Sequence, residues 1–136
     1  MNNSDLIKIA LEARKFSYSP YSGFSVGAAL LCDDGSVYTG CNIENSAFSP
    51  TNCAERTAFF KAVSEGKKEF LKIAVVGTDS SKEIPDNYCP PCGVCRQVMK
   101  EFCSEDFEIL IAKNSDDYKA LTLSELLPLS FDKREV

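Results

Sequence analysis

Apolar side chains recur along the chain at two different spacings, which predict helices and strands in alternation. In residues 5–17 they follow the three- and four-residue steps of an amphipathic helix, and Ser4 stands where its N-cap is expected. A second helix is predicted over residues 53–64, with Thr51 or Asn52 as its N-cap. The remaining predicted helices are residues 92–102 and the short segment 124–127.

Short apolar runs bounded by turn residues predict buried strands. These runs are residues 26–31, 37–41, 73–76 and 108–112. The first two flank the turn signal at residues 33–36, so they predict a hairpin.

The second predicted helix has an alanine at every fourth position, and this stripe of small side chains allows close packing against a sheet. The alanines are Ala54, Ala58 and Ala62. Because helices and strands alternate over most of the length, the pattern predicts a layered α/β domain. We find no internal repeat or linker, so we expect a single domain over residues 1–136.

Charge and hydropathy narrow the range of partners. The net charge is −5 with no long run of Lys or Arg, so we do not expect nucleic acid as a partner. The sequence contains no apolar run long enough to span a bilayer, and its first residues do not resemble a secretion signal. We therefore expect a cytoplasmic protein that does not bind membranes.

The numbers of cysteines and histidines say most about the possible chemistry. The chain has seven cysteines and no histidine. A reducing cytoplasm disfavours disulfides, so clustered cysteines there indicate metal binding or redox chemistry. Without histidine, Ser-His-Asp and Cys-His nucleophilic catalysis are impossible within this chain. Any metal must be held by cysteine or by oxygen ligands.

Cysteines stand at the predicted starts of two helices. Cys92 and Cys95 are three residues apart, so both thiolates can face one side of a first helical turn. This pair alone would also fit a redox dithiol, but Cys53 at a second helix start favours a metal site. The helix dipole at such a position stabilises a thiolate. Three protein ligands leave a fourth zinc position for water, which is typical of catalytic sites.

Two charged residues follow Cys53 directly in the sequence. Glu55 is placed to exchange protons with a metal-bound water, whose pKa zinc lowers toward ~7. Three thiolates on Zn²⁺ leave an excess negative charge, and Arg56 is the candidate cation to offset it by donating to the sulfurs. An ordinary exposed helix arginine is the competing interpretation of Arg56.

Several blocks of the sequence resemble the cytidine deaminase family, in its short, single-domain, tetrameric branch. The blocks are residues 18–30 and 40–45 and the two cysteine segments at 53–58 and 91–97, and they fall in family order over most of the chain. The resemblance implies a three-layer α/β/α fold with a mixed five-stranded sheet. It also implies a homotetramer that deaminates cytidine and deoxycytidine in pyrimidine salvage, with one zinc ion per chain.

The same resemblance implies roles for individual residues. Zinc would be held by Cys53, Cys92 and Cys95, with Glu55 as the proton shuttle. Substrate contacts would come from Phe24 against the pyrimidine, Asn42 and Glu44 on the ribose, the Ala54 main chain on the base, and Phe131 of a neighbouring subunit.

Other interpretations compete with this one. Cys89 could complete a closed four-cysteine structural zinc site, although Pro90 and Pro91 should direct its side chain elsewhere. A non-catalytic nucleoside-binding module would have no reason to carry Glu55. A deaminase of a cytosine-nucleoside antibiotic such as blasticidin S would use the same zinc chemistry, but the ribose block of Asn42 and Glu44 favours cytidine.

Overall fold

A mixed five-stranded sheet forms the centre of the structure, a computed structural model that describes residues 1–133. The strands are β1 (Phe24–Cys32), β2 (Val37–Cys41), β3 (Phe70–Asp79), β4 (Glu108–Asn114) and β5 (Asp117–Thr122). The helices are α1 (Asn3–Arg14), α2 (Ala54–Ser64), α3 (Gly93–Phe102) and α4 (Leu123–Leu126). Among residues 1–133, no helix is both long and apolar enough to cross a membrane.

The strand order is β2-β1-β3-β4-β5, and only β3 and β4 pair in parallel. The predicted hairpin of β1 and β2 is confirmed, with Gly35 at φ +89° in its turn. Because β1 runs antiparallel to its neighbours, its first residue lies beside the last residues of β2 and β3. The segments that carry the candidate functional residues begin or end at this end of the strands.

Helices cover both faces of the sheet, so the predicted three-layer α/β/α architecture is confirmed. On one face α2 and α3 bury Phe59 and Met99 against Ile73 and its neighbours. On the other face α1 buries Leu6 and Ile7. The two layers of apolar contact make up the core of the described chain.

The alanine stripe of α2 lies directly on the hairpin. Its three alanines are fully buried, as the close-packing prediction required. A side chain at Gly40 of β2 would begin 2.2 Å from the Ala54 carbonyl oxygen and 2.6 Å from the Ala58 nitrogen. The start of α2 is therefore fixed against β2 by the absence of a side chain at Gly40.

The helix caps differ from those predicted. The first helix is capped by Asn2, whose side chain accepts from the Asp5 amide at 2.8 Å, so Ser4 lies within the helix. Cys53 itself is the N-cap residue of α2, without a side-chain capping bond. Thr51 and Asn52 use their side chains elsewhere, toward Asn45 and Thr57. The Cys53 side chain therefore does not cap α2, and its sulfur is left for the candidate metal site.

The apolar pattern missed the fifth strand, which only the family resemblance implied. Strand β5 has four exposed residues followed by two half-buried ones, so it lacks the apolar run by which the other strands were predicted. It is an edge strand, paired with β4 alone. Its main-chain pairing, rather than burial of its side chains, defines it.

Candidate metal centre and active site

Two helix N-termini bring three cysteine sulfurs together. Cys53 is the N-cap residue of α2, Cys92 is the N-cap residue of α3, and Cys95 lies in the first turn of α3. The Sγ atoms lie 3.8 Å apart for Cys53 and Cys92 and 3.6 Å apart for Cys92 and Cys95, and all three are within 4.8 Å of one another. Cys95 is buried and Cys92 is exposed, so the cluster is reached from the side of Cys92.

The donor set fits a zinc ion. A tetrahedral Zn²⁺ with Zn–S bonds of about 2.3 Å separates its ligand sulfurs by about 3.8 Å. The observed separations are close to that value, so the described chain could hold the metal with little rearrangement. Within residues 1–133 this is the one cluster of such ligands, and Cys89 lies outside it.

Arg56 lies beside the sulfurs. Its Nη2 donates to Cys53 Sγ at 3.2 Å, while its Nε is buried without a hydrogen-bond partner among the described residues. Hydrogen bonding from Cys95 and then from Arg56 holds the pKa of the Cys53 thiol well below its ordinary value. A guanidinium here offsets the excess negative charge of three thiolates on Zn²⁺.

The carboxyl of Glu55 is buried in the first turn of α2. Only 4% of the residue is exposed, and no ion pair to it occurs within the described chain. Burial raises the pKa of this carboxyl to about 7. A carboxyl in such surroundings can both accept and return a proton near neutral pH. Next to it, Ala54 is the first helical residue, so the helix's own hydrogen bonds leave its N–H unused.

Asn42 follows β2 and is held by the start of β1. Its Nδ2 donates to the Phe24 carbonyl at 2.8 Å. Its Oδ1 accepts from the Val26 amide at 2.9 Å and from Ser17 Oγ at 2.5 Å. The side-chain amide therefore has one N–H left for a ligand.

The carboxylate of Glu44 is held by the turn before β1. Its Oε1 accepts from the backbone amides of Tyr21 and Ser22 at 3.0 and 3.1 Å, and its Oε2 accepts from Ser22 Oγ at 2.5 Å. The Ser22 hydroxyl is the main cause of a lowered pKa at Glu44. Glu44 is thus an ionised acceptor with lone-pair capacity left on Oε2.

Phe24 is partly exposed, at 41%. A side chain at Gly77 of β3 would begin 3.0 Å from Phe24 Cε2 and 2.8 Å from Cys89 Sγ. Gly77 therefore makes room for both. Burial raises the pKa of the Cys89 thiol to about 12, so this cysteine is held as a neutral thiol against β3.

Phe131 lies beyond α4, with 58% of the residue exposed. Its carbonyl oxygen accepts from Gln97 Nε2 of α3 at 3.2 Å.

Sequence reasoning did not identify Ser17 and Ser22, which hold Asn42 and Glu44. No local spacing marked them, because each contacts a residue more than twenty positions away along the chain.

Three sulfurs at zinc-ligand spacing beside a buried carboxyl define the metal centre of a hydrolytic zinc enzyme. The comparisons with known proteins agree with this class. Residues 1–111 match the family model described as the cytidine and deoxycytidylate deaminase zinc-binding region. The chain belongs to the cytidine deaminase family, and it is a zinc-binding enzyme.

Individual relatives are similar over nearly the whole chain. A cytidine deaminase from Halalkalibacterium halodurans is 48% identical, covering 100% of this chain and 98% of that protein. The crystal structure of cytidine deaminase from Burkholderia pseudomallei has 42% identity and a TM-score of 0.87, covering 96% of this chain and 100% of that one. A blasticidin-S deaminase from Bacillus cereus is more distant, at 31% identity over 95% of this chain and 91% of that protein.

Proposed function

We propose that the chain hydrolyses cytidine and deoxycytidine to uridine and deoxyuridine, releasing ammonia. The observation that carries this proposal is the Glu55 carboxyl, which is buried in the first helical turn after the ligand Cys53. A purely structural zinc site has no use for a buried carboxyl without an ion pair, which costs stability. The first two relatives named above are cytidine deaminases, which supports the same reaction.

The chemistry divides between the metal and Glu55. When bound by Cys53, Cys92 and Cys95, zinc lowers the pKa of a coordinated water. Glu55 accepts a proton from the water and delivers it to N3 of the cytosine ring. As the C4–O bond forms and the C4–N bond breaks, Glu55 returns the second proton of the water to the departing amine. The net reaction consumes one water and releases one ammonia.

The remaining side chains bind and orient the nucleoside. Phe24 packs against the pyrimidine, and the free N–H at the start of α2 helps to hold the base through the Ala54 main chain. Asn42 and Glu44 offer one donor and one acceptor to the sugar hydroxyls. Arg56 stabilises the sulfur ligands and does not touch the substrate. These assignments combine the contacts described above with the family resemblance.

The site is suited to nucleosides rather than to nucleotides. Glu44 is a carboxylate with a lowered pKa, so it accepts sugar hydroxyls but repels a phosphate placed nearby. The two arginines of the zinc segments are already engaged. Arg56 donates to Cys53, and Arg96 donates to the carbonyls of Pro91 and Leu126. We therefore do not expect a nucleic-acid strand as substrate, since it would need an open basic groove.

We further propose that the chain is one catalytic domain over residues 1–136, which acts as a homotetramer in cytoplasmic pyrimidine salvage. Exposed aromatic rings at Phe24 and Phe131 support this assembly, because a neighbouring subunit could cover them. In this assembly, Phe131 of one subunit completes the nucleoside pocket of another.

A side-by-side assay tests the proposed substrate class. Purified protein is incubated with cytidine, deoxycytidine, CMP, blasticidin S or a short single-stranded DNA containing cytosine, and ammonia release is measured. We expect comparable turnover of the two nucleosides and at least a hundredfold lower kcat/KM for CMP and for the DNA. Efficient deamination of CMP or DNA would overturn the nucleoside assignment. Preference for blasticidin S would replace cytidine with the antibiotic as the substrate.

A further inference from the structure

Two serines lie directly behind the proposed sugar-binding pair. Ser17 Oγ is 2.5 Å from Asn42 Oδ1, and Ser22 Oγ is 2.5 Å from Glu44 Oε2. Both serines come from the segment that joins α1 to β1, whereas Asn42 and Glu44 follow β2. Each contact therefore links parts of the chain that are more than twenty residues apart.

The orientation of the Asn42 amide is set by the backbone of β1. Reversing the amide would turn its NH₂ group toward the Val26 amide and its oxygen toward the Phe24 carbonyl, and both contacts would be repulsive. Oδ1 therefore faces Ser17. Since a carbonyl oxygen only accepts, the single hydroxyl proton of Ser17 is directed to Asn42. This bond restrains the amide without using its free N–H.

Ser17 lies beside a cluster of hydroxyls, although its single proton, once given to Asn42, is not available for the contact with Ser19. Its Oγ lies 3.2 Å from that of Ser19, which lies 3.1 Å from Ser25 Oγ and 3.0 Å from Ser80 Oγ. Ser25 and Ser80 are 2.7 Å apart, and Ser25 is a buried residue of β1. The cluster therefore lies between Ser17 and the sheet, which is the rigid part of the fold.

Ser22 connects the sugar side to the base side. Its Oγ donates to Glu44 and accepts from the Phe24 backbone amide at 3.0 Å. The turn that presents it is closed by a bond from the Gly23 amide to the Ser19 carbonyl, with Gly23 at φ +67°. A residue with a side chain is strained at that φ, so glycine fits the turn. The carboxylate is thereby tied to the first residue of β1.

We propose that Ser17 and Ser22 are positioning residues, which hold Asn42 and Glu44 in the geometry that binds the nucleoside sugar. The inference rests on the proposed function, because it assumes that these two side chains contact the sugar. Side chains that are already fixed lose less conformational entropy on binding. The two serines therefore strengthen nucleoside binding through Asn42 and Glu44, without contacting the nucleoside. Their effect falls on KM rather than on kcat, since Glu55 and the sulfur ligands are held independently.

The experiment compares Ser17→Ala and Ser22→Ala with Ser36→Ala as a matched control. Ser36 also donates to a carboxylate, that of Asp34, but it lies in the distant turn between β1 and β2. For cytidine we expect KM to rise about three- to tenfold in each of the first two variants, as for the loss of one hydrogen bond. We expect kcat to stay within about twofold, zinc content to be unchanged, and the control to match the wild type. Ser22→Thr keeps the hydroxyl and should restore most of the affinity.

A second nucleoside separates positioning from a general structural role. With 2′,3′-dideoxycytidine, which has no secondary sugar hydroxyls, the same two variants should show an unchanged KM, or an unchanged Ki where it is measured as a competitor. Equal losses for cytidine and dideoxycytidine, or an unchanged KM for cytidine, would overturn the inference. If the wild type does not deaminate cytidine, or binds both nucleosides equally well, the proposed function or its sugar site fails instead.

Discussion

The two ends of the candidate site are built differently. At the metal end, Glu55 and Cys95 are buried and belong to first helical turns that pack on the sheet. At the proposed sugar end, Asn42 and Glu44 lie in connecting segments and depend on hydrogen bonds to a distant stretch of chain. The metal end is thus complete within one chain, while the sugar end is partly open to solvent.

This difference shows where each function is encoded. A helix start fixes the spacing of its first residues, so a motif of a few residues is enough to set metal ligands and an acid–base group. A sugar site requires a donor and an acceptor pointing outward, and loops place these only when other segments hold them. Changes at the metal end should therefore abolish the reaction, and changes at the sugar end should weaken binding.

The largest effect is expected from loss of a ligand sulfur. Cys92→Ser should lose both zinc and deaminase activity, whereas Cys89→Ser should keep both, because the Cys89 thiol packs against Gly77 outside the sulfur cluster. Metal analysis of the purified variants, combined with the ammonia assay, measures both properties. Loss of zinc in Cys89→Ser would support a closed four-cysteine site instead.

Removal of the proton shuttle comes next. Glu55→Gln keeps the shape of the side chain but cannot accept a proton, so we expect zinc to be retained and kcat to fall by about 10⁴-fold or more. Glu65→Gln, at the other end of α2, is the matched control and should behave as the wild type. Near-normal turnover of Glu55→Gln would remove this residue from the mechanism.

Two glycines test whether the metal end depends on its sheet contact. Gly40→Ala would press against the start of α2, and Gly27→Ala would press against α1, with its new side chain 2.1 Å from the Ala10 carbonyl oxygen. Each should lower the free energy of unfolding by about 3 kcal/mol, measured with urea. Only Gly40→Ala should also reduce kcat and zinc retention, since α2 carries Cys53. Equal kcat in both variants would show that the metal end tolerates movement of α2.

The metal end could be predicted from the sequence more completely than the proposed sugar end. The metal ligands were predictable because Cys53, Cys92 and Cys95 belong to two short motifs whose helical spacing fixes their geometry. The support given by Ser17 and Ser22 was not, because each bond joins residues more than twenty positions apart and no local spacing signals it. Strand β5 was not predicted from the apolar pattern for a related reason. It is defined by pairing with β4 rather than by a buried apolar run.

The smallest effect is expected from Phe131, where the sugar end would be completed by a neighbouring subunit. Its ring is exposed in the single chain, so replacing it should leave folding unchanged. In the proposed tetramer, Phe131→Ala should raise KM for cytidine about tenfold, with kcat nearly unchanged.

Mixed tetramers test whether Phe131 acts from a neighbouring subunit. Glu55→Gln chains are inactive but still supply Phe131, so reassembling them with Phe131→Ala chains should return KM toward the wild-type value. Glu55→Gln chains that also carry Phe131→Ala are the control and should give no such recovery. A fully active monomer by light scattering, or a KM that does not respond to mixing, would place the complete nucleoside pocket within one chain.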